Sequence, residues 1–402
     1  MKICIFTETY FPVMGGGETQ AQLLAEGLIA NGHSVIVLTR RSEASLKKHE
    51  CYSKVDVYRL APVGSGQLKK WGMIISSVPM LLHLRNQYDL IFVSGYRIIG
   101  LTAVLIGKLL RKPVVLKADS QGEMSGDFFE SGLKKLGISH KALLFHWFLK
   151  FRNVILKKAE AFSAISLEIA LEWTSSGIPS EKTYLIPNSV DTKRFIPVES
   201  AEKITLRKTL NLPQHAVIAI YTGRLVSYKG LPLLLKVWND IRRTHENILL
   251  ILAGTGGLDI HNCENELREY VKVNGLEKHV LFTGALQNVP EYLQASDFFA
   301  FPTENDAFPS SIVEAMACGL PVVSTPVGAI KTIITNEKTG LLIQPGNARQ
   351  LYQALDVILS NKEMASCLGR AACQSVRDLY SADLVSKKYL ELFHGLVDDI
   401  KV

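Results

Sequence analysis

The sequence predicts an α/β protein with two doubly wound, mostly parallel sheets that face each other across one cleft. Three observations lead to this fold class. The 402 residues exceed one ordinary α/β domain and suit two of about 200 residues each. Short apolar runs alternate with helix-like segments along the chain. The alternation breaks once, between residues 186 and 197, where two prolines and an asparagine indicate a linker.

The predicted elements set the domain limits. In the first half, buried strands are expected at 2–6, 34–38, 90–93, 113–117 and 161–165, with helices at 19–30 and 99–110 among them. In the second half, strands are expected at 216–221, 248–253, 280–283, 298–301 and 322–324. We therefore predict an N-terminal domain at 1–198 and a C-terminal domain at 199–378. A last helix within 379–402 is expected to pack back on the N-terminal domain.

Composition narrows the class of protein. The chain is 47% hydrophobic and 21% charged, which is typical of a folded domain with real cores. Its six cysteines are scattered and form no C-x-x-C pair, so neither a disulfide framework nor a zinc site is expected, and a reducing cytoplasm fits. No signal-peptide core or membrane-spanning run is present. The net charge is +8 over residues 1–200 and −1 over the rest, which indicates an anionic partner for the first half.

Two cations follow the strand that ends near residue 221. Arg224 and Lys229 lie in one loop just before a helix, and ligands of parallel sheets bind beyond the carboxyl ends of strands. A guanidinium, an ammonium and a helix N-terminus together suit a pyrophosphate. Both side chains are expected to be solvent-accessible. The alternative to a phosphate-binding role is that they are two solvated loop charges without a ligand. Gly254, after the next strand, would let a ligand approach the backbone closely.

The segment from Asp306 to Pro321 carries the strongest signal. Two acids, Asp306 and Glu314, stand eight positions apart around a helix that starts near Pro309 or Ser310. One carboxylate can hold a sugar hydroxyl and the other a ribose diol. The amides of Ser310 and Ser311 are free to meet a phosphate. A capped amphipathic helix would explain the apolar residues of this segment but explains the two acids less well.

These residues resemble the acid-x7-acid signature of retaining family 4 glycosyltransferases (glycosyl transferase group 1) of the GT-B fold, which has two Rossmann-like domains. Four further motifs resemble that family and occur in its order: Gly15-Gly16-Gly17-Glu18, Glu160-Ala161-Phe162 with Ile165-Ser166, Ile186-Pro187-Asn188-Ser189-Val190-Asp191, and Gly223-Arg224-Leu225 with Lys229-Gly230. The five together span most of the chain and are specific to the family, though not to a substrate.

The resemblance implies roles for individual residues. Glu314 would bind the donor ribose and Asp306 would contact the transferred sugar. Arg224 and Lys229 would neutralise the departing nucleoside diphosphate, which the resemblance suggests is UDP. The loop at Gly16 and Gly17 would close over the phosphates. The family usually needs no metal or other cofactor and retains the donor's anomeric configuration.

The sequence departs from the family pattern in four places. Asp306 stands where Glu is usual, Pro309 where Gly is common, and Ser189 where Gly usually follows the Asn of the linker motif. The His that the family often has after the strand at 113–117 is absent. Its loop offers Asp119 and Glu123 as acceptor-side candidates, and Glu18 is a third.

Two segments of the first half lack acids and combine lysines with aromatic residues. They are residues 57–88 and 132–158, and such composition suits contact with an anionic membrane surface. The enzyme would then be peripheral on the cytoplasmic face and take a glycan or lipid-linked acceptor, in polysaccharide or glycolipid synthesis. The alternative is a solvated basic face over an aromatic core. No nucleic-acid-binding module is recognisable, so a nucleic-acid partner is not expected.

Two other functions remain open at this point. A nucleotide-sugar epimerase or sugar phosphorylase could use the same two-domain plan. A non-catalytic nucleotide-sugar-binding protein would also fit, because the family His is missing and Asp306 replaces Glu.

Overall fold

The computed structural model describes residues 1–13, 15–64, 67–127 and 143–401, and within them says nothing of the side chains at 67–70, 143–144 and 400–401. The described chain forms two compact units, Met1–Ser189 with Ala382–Val402, and Val190–Ser381. The domain boundaries predicted from the sequence lie between residues 198 and 199 and between residues 378 and 379. The first and last residues of the second unit, Val190 and Ser381, form a bridge, and the Val190 amide donates to the Tyr380 carbonyl at 2.9 Å.

The N-terminal unit contains one eight-stranded sheet. It is parallel except for β3, and its strand order is β3-β4-β2-β1-β5-β6-β7-β8. The strands are β1 (Lys2–Thr7), β2 (Ser34–Arg40), β3 (His49–Tyr52), β4 (Val55–Leu60), β5 (Leu90–Ser94), β6 (Val114–Lys117), β7 (Ala161–Ala164) and β8 (Thr183–Leu185). The helices are α1 (Gly16–Ala30), α2 (Gln67–His83), α3 (Gly100–Leu110), α4 (Leu143–Leu156) and α5 (Leu167–Ser175).

The C-terminal unit contains a six-stranded, wholly parallel sheet of order β11-β10-β9-β12-β13-β14. Its strands are β9 (Val217–Thr222), β10 (Ile248–Ala253), β11 (Val280–Gly284), β12 (Phe298–Phe301), β13 (Val322–Ser324) and β14 (Leu341–Leu342). Its helices are α6 (Ser200–Thr209), α7 (Leu231–Ile241), α8 (Glu264–Val273), α9 (Val289–Ala295), α10 (Ser310–Ala317), α11 (Ile330–Ile333), α12 (Ala348–Ser360) and α13 (Lys362–Leu379).

Both sheets are doubly wound, so the predicted fold class is confirmed for each domain. The strands expected from continuous apolar runs are all present, because strands covered by helices on both faces bury every side chain. Strand order reverses beside β1 in one sheet and beside β9 in the other. These reversals mark the places where ligands bind doubly wound sheets.

The last helix, α14 (Ala382–Lys401), belongs to the N-terminal unit. Val385, Tyr389 and Phe393 enter the core of that unit, and the ring of Tyr389 lies edge-on to Phe92 at 5.1 Å. The Tyr389 hydroxyl also lies 2.8 Å from Ser163 Oγ on β7. Helix α14 therefore completes the core of a unit whose first residue is Met1.

The contact between α1 and α14 depends on a glycine. A Cβ at Gly27 would lie 2.7 Å from the Ser386 Cβ, closer than packed carbons approach. We expect Gly27→Ala to lower the free energy of unfolding of the N-terminal domain by about 1–2 kcal/mol, because overpacking outweighs the gain in helix propensity. Urea denaturation measures this. Gly395→Ala is the matched control on α14, since nothing lies within 4 Å of its new methyl group, and it should not destabilise. A Gly27→Ala protein as stable as Gly395→Ala would contradict the packing account.

All six cysteines are free, and four of them are buried: Cys4, Cys263, Cys318 and Cys373. Burial raises the pKa of the Cys4 thiol to about 12. These cysteines are therefore core residues of low reactivity.

Candidate active site

The candidate donor-side residues gather at the strand reversal of the C-terminal sheet. Arg224 and Lys229 follow β9, and Asp306 follows its neighbour β12. Because both strands are parallel, their carboxyl ends lie at one edge, and the structure brings the three side chains to that edge.

The loop after β9 is held against the loop after β12 by a glycine. Gly230 has a φ of 73°, and a Cβ there would overlap the carbonyl oxygen of Pro302. The amide of Glu304 donates to the Tyr228 carbonyl at 2.8 Å, and the Thr303 hydroxyl donates to the same oxygen at 3.1 Å. The two loops therefore form one unit, and the positions of Lys229 and Asp306 are coupled.

Lys229 is buried, which corrects the expectation that both loop cations are solvent-accessible. Only 8% of the residue is exposed, and its Nζ lies 2.6 Å from Asp306 Oδ2 and 3.3 Å from the Asn305 carbonyl. The same Nζ lies 5.3 Å from the ring centres of both Tyr228 and Phe301. The β12 loop covers the ammonium group, and sequence position alone does not reveal such a cover.

Arg224 is accessible, as expected, with 61% of its side chain exposed. Its Nη1 pairs with Asp259, and its Nη2 donates to the Tyr228 hydroxyl at 2.7 Å. The sequence reading missed both partners. Tyr228 lies in the same loop, and Asp259 lies in the connection after β10, the adjacent strand. Both residues follow the carboxyl end of a strand, which is where ligand-binding residues of parallel sheets are expected, so the sequence contained a signal for them.

The helix α10 begins where the sequence predicts, with Pro309 as its N-cap. Ser310 and Ser311 are its first residues, and their amides have no acceptor within the helix. Glu314 lies one turn further and is partly buried. Burial raises the pKa of its carboxyl to about 7, and the nearby Arg194 guanidinium opposes that rise. Arg194 is a further residue that sequence reasoning did not single out.

Gly254 has a structural reason to be glycine. Its φ is 146°, and a Cβ would overlap the carbonyl oxygen of Gly223. Its amide donates to the Gly284 carbonyl at 2.8 Å. Gly254 therefore packs the loops after β9 and β10 together, and its contact with a ligand stays a prediction.

The N-terminal sheet places a second polar cluster at its own reversal. Lys117 ends β6, and its Nζ lies 2.7 Å from Asp119 Oδ1. The carboxylate of Glu123 accepts from the amides of Asp119 and Ser120 at 3.2 and 3.0 Å and lies 3.5 Å from Arg97 Nε. Glu123 is 1% exposed, and burial raises its pKa to about 7. That placement favours a role in fixing the loop, and leaves Asp119 as the more accessible carboxylate.

The glycine-rich segment also reaches this cluster. Gly16 and Gly17 are the first residues of α1, and a Cβ at Gly17 would lie 3.3 Å from Asp119 Oδ2. Glu18 accepts a hydrogen bond from the Thr9 hydroxyl. Gly17, Glu18, Asp119 and Glu123 therefore lie at one edge of the N-terminal sheet, while Met14 lies outside the described residues.

Comparison with known families identifies the chain. The sequence model for "Glycosyltransferase Family 4" matches residues 14–194, and that for "Glycosyl transferases group 1" matches residues 202–375. The chain belongs to glycosyltransferase family 4. The recognition from motifs is thereby confirmed, and with it the general activity of a glycosyltransferase.

Full-length relatives support the assignment. This family 4 chain is 24% identical over 98% of its length to an uncharacterized glycosyltransferase of Methanocaldococcus jannaschii, 98% of which is covered. It is 25% identical over 96% of its length to mannosylfructose-phosphate synthase of Agrobacterium fabrum, 88% of which is covered. Anabaena HepE, solved in complex with UDP and glucose, has the same fold, with a TM-score of 0.77 and 19% identity over 98% of this chain and 99% of HepE.

In the part of the family 4 chain that the structure describes, no helix combines the length and apolar character needed to cross a membrane.

Proposed function

We propose that this glycosyltransferase moves a hexosyl group from a UDP-linked sugar to a glycan or lipid-linked acceptor, without a metal and with retention of configuration. The observation that carries the proposal is the convergence of Arg224, Lys229 and Asp306 at the strand reversal, with Glu314 on the helix that starts there. HepE, which has the same fold, was solved with UDP, and this supports the choice of base.

Each donor-side residue has a chemical task in this proposal. In the transfer, the bond between the anomeric carbon and the β-phosphate oxygen breaks, and the acceptor oxygen bonds to that carbon. The acceptor proton passes to the departing phosphate oxygen. Lys229 and Arg224 stabilise the negative charge that develops on the diphosphate. A nucleotide that binds Lys229 and Arg224 must displace the carboxylates of Asp306 and Asp259 from these cations. Until the donor arrives, the two acids keep both cations ordered.

The remaining residues orient the donor. The ionised carboxylate of Glu314 accepts hydrogen bonds from the ribose diol, and the amides of Ser310 and Ser311 meet a phosphate oxygen. Asp306 binds a hydroxyl of the transferred sugar. Because the protein cations supply the positive charge, we propose that no metal is required. On the acceptor side, Asp119 and Glu18 are proposed to contact the acceptor.

Product analysis tests the proposed reaction. The protein is incubated with UDP-hexoses and with the lipid and oligosaccharide extracts of its source cells, with and without EDTA. We expect UDP release only when an acceptor is present, no effect of EDTA, and a product with the anomeric configuration of the donor. Interconversion of the sugar without an acceptor would indicate an epimerase. Donor binding without turnover under any acceptor would indicate a non-catalytic binding protein.

The peripheral membrane contact is a separate proposal, supported by one apolar surface of the N-terminal domain. On α4, Trp147, Phe151 and Val154 are each more than half exposed at helical spacing, and on the adjacent α3 so are Leu105 and Leu109. We name these five residues the α3/α4 surface. An apolar helix face of this kind suits insertion among lipid headgroups.

The charges around the α3/α4 surface favour anionic lipid. Lys150 lies 5.7 Å from the ring centre of Trp147, and Arg111 and Lys158 are exposed nearby in sequence. Residues 132–142 of the predicted segment lie outside the described residues. In the other predicted segment, 57–88, β4 lies in the sheet and Trp71 packs on Phe148 at 5.4 Å, so α4 and α3 carry the proposal.

Vesicle co-sedimentation tests the membrane proposal. We expect wild-type protein to bind phosphatidylglycerol vesicles more strongly than phosphatidylcholine vesicles. The variant Trp147→Ser/Phe151→Ser should bind at least about ten-fold more weakly, because two inserted aromatic rings are lost. Val273→Ser, which removes a 72%-exposed apolar residue of the C-terminal domain, is the matched control and should bind normally. Equal failure of wild-type protein to bind either lipid would exclude the contact.

A further inference from the structure

A second concave site lies at the opposite edge of the C-terminal sheet. A cavity of about 710 Å³ opens at the amino ends of the strands, beside Val217 of β9, Phe298 of β12 and Pro321 before β13. Its walls are the α6 and α9 pair on one side and the α12 and α13 pair on the other. The candidate donor site occupies the carboxyl edge, so the cavity is separate from it. Its volume lies in the range of small-molecule sites.

The cavity has a cationic wall formed by α13. Lys362, Arg370 and Arg377 line it from one face of that helix, and His215 lines it from the connection before β9. Arg370 Nη1 donates to Ser366 Oγ at 2.6 Å, which orients the guanidinium. Within the described chain, no carboxylate forms an ion pair with the three α13 cations.

The single carboxylate that lines the cavity among the described residues is already neutralised. Asp297 lies 2.6 Å from Arg207 and 3.2 Å from Lys203, and it accepts the Ile218 amide at 2.7 Å. Arg207 is 5% exposed and donates to the carbonyls of Ala295 and Ala216 as well. These groups form a hydrogen-bonded structural cluster with one surplus positive charge, which adds to the three positive charges of α13.

The floor of the cavity and the α12 part of its wall are apolar. Phe298, Leu320, Ile358 and Leu359 line the cavity and are each buried to 91% or more. A concave site with a cationic side and an apolar floor raises the local concentration of anions and also offers apolar contact. Arginine binds phosphate with two parallel hydrogen bonds, which an inorganic chloride or a neutral sugar cannot match.

We infer that this cavity binds a small organic phosphate, with the phosphate on Arg370 and Arg377 and an apolar or ring-shaped body against Leu320, Ile358 and Leu359. The inference goes beyond the proposed function and does not depend on it, because none of its residues belongs to the donor site.

Calorimetric titration of the full chain with phenyl phosphate tests the inference. Phenol, which lacks the phosphate group, and inorganic phosphate, which lacks the ring, are the comparison probes. We expect phenyl phosphate to bind with a dissociation constant of about a millimolar or lower, given the size of the molecule, and more tightly than either fragment probe. Arg370→Gln/Arg377→Gln should weaken binding at least about ten-fold.

Two control variants locate the binding. Arg349→Gln removes an exposed cation of α12 that does not line the cavity, and it should bind phenyl phosphate normally. Lys229→Ala alters the donor site and should also bind it normally, whatever its effect on nucleotides. No binding to wild-type protein, unchanged binding to Arg370→Gln/Arg377→Gln, or loss of binding in Lys229→Ala would each overturn the inference.

Discussion

Replacing Lys229 by alanine is expected to lower turnover about a thousand-fold, because removing one group aimed at transition-state charge costs a factor of that order. Lys229 is a strong candidate for such a group. It is almost fully buried, and in a site shielded from water its charge acts on a departing phosphate with little screening. Steady-state assays with a UDP-sugar measure the effect. Arg224→Ala should have a smaller effect, since 61% of the Arg224 side chain is exposed and its charge is better screened.

Two further variants separate chemistry from folding. Lys229→Ala leaves the Asp306 carboxylate without its 2.6 Å partner, and an unpaired, partly buried charge destabilises the loop. Lys229→Ala/Asp306→Asn removes both charges and should fold normally while remaining inactive. Lys236→Ala removes an exposed lysine of α7 and should have normal turnover. Normal turnover in the folded double variant would refute the assignment of Lys229 to the diphosphate.

Donor affinity is expected to depend on pH through Glu314. Its pKa is about 7, and the ionised form is the better acceptor for the two ribose hydroxyls. The dissociation constant for UDP-glucose should therefore rise as the pH falls below 7 and level off about 30-fold higher at low pH, where the carboxyl is neutral. A nucleotide sugar is the suitable probe, because its pyrophosphate diester does not titrate in this range. Calorimetric titration across the range gives the profile.

Glu314→Gln is the matched variant for that profile. It should bind UDP-glucose about 30-fold more weakly at high pH, the typical effect of losing a hydrogen bond to a charged group. Its affinity should not change across the pH range in which the wild type changes. An identical pH dependence in both proteins would show that Glu314 does not contact the donor.

The effect of Glu314 on folding stability should have the opposite pH dependence to its effect on donor affinity. The folded-state pKa lies above the ordinary value of 4.5, so the native state binds more protons than the unfolded state between about 4.5 and 7. Glu314 therefore reduces stability as the pH rises through that window. The residue that weakens folding near pH 7 is the one proposed to bind ribose, as is common for groups tuned for function.

The parallel strands were predictable because apolar runs without alternation indicate burial on both faces. The β3–β4 hairpin was not predicted. Its turn uses Ser53 and Lys54, both with positive φ (50° and 67°), where glycine or asparagine usually gives the signal. Cys51 on β3 is exposed, so this edge pair lacks the apolar pattern of the central strands.

The candidate donor site was predictable in part, for a related reason. Residues that follow strand ends could be read from the sequence, and Arg224, Lys229 and Asp306 were found that way. Their environment could not. The burial of Lys229 and the backbone packing at Gly254 arise from loops that are far apart in sequence, and the partner Asp259 lies 35 residues from Arg224. Such contacts depend on the sheet order, which a single sequence does not fix.

The central claim is that the C-terminal domain binds a nucleoside diphosphate at the loops after β9 and β12. Thermal unfolding with and without UDP, in parallel for wild type and Lys229→Ala/Asp306→Asn, tests it most directly. At a hundred times its dissociation constant, UDP should stabilise the wild type by about 2.7 kcal/mol and the variant far less. No stabilisation of the wild type by UDP, GDP or ADP, or an equal stabilisation of both proteins, would contradict the claim.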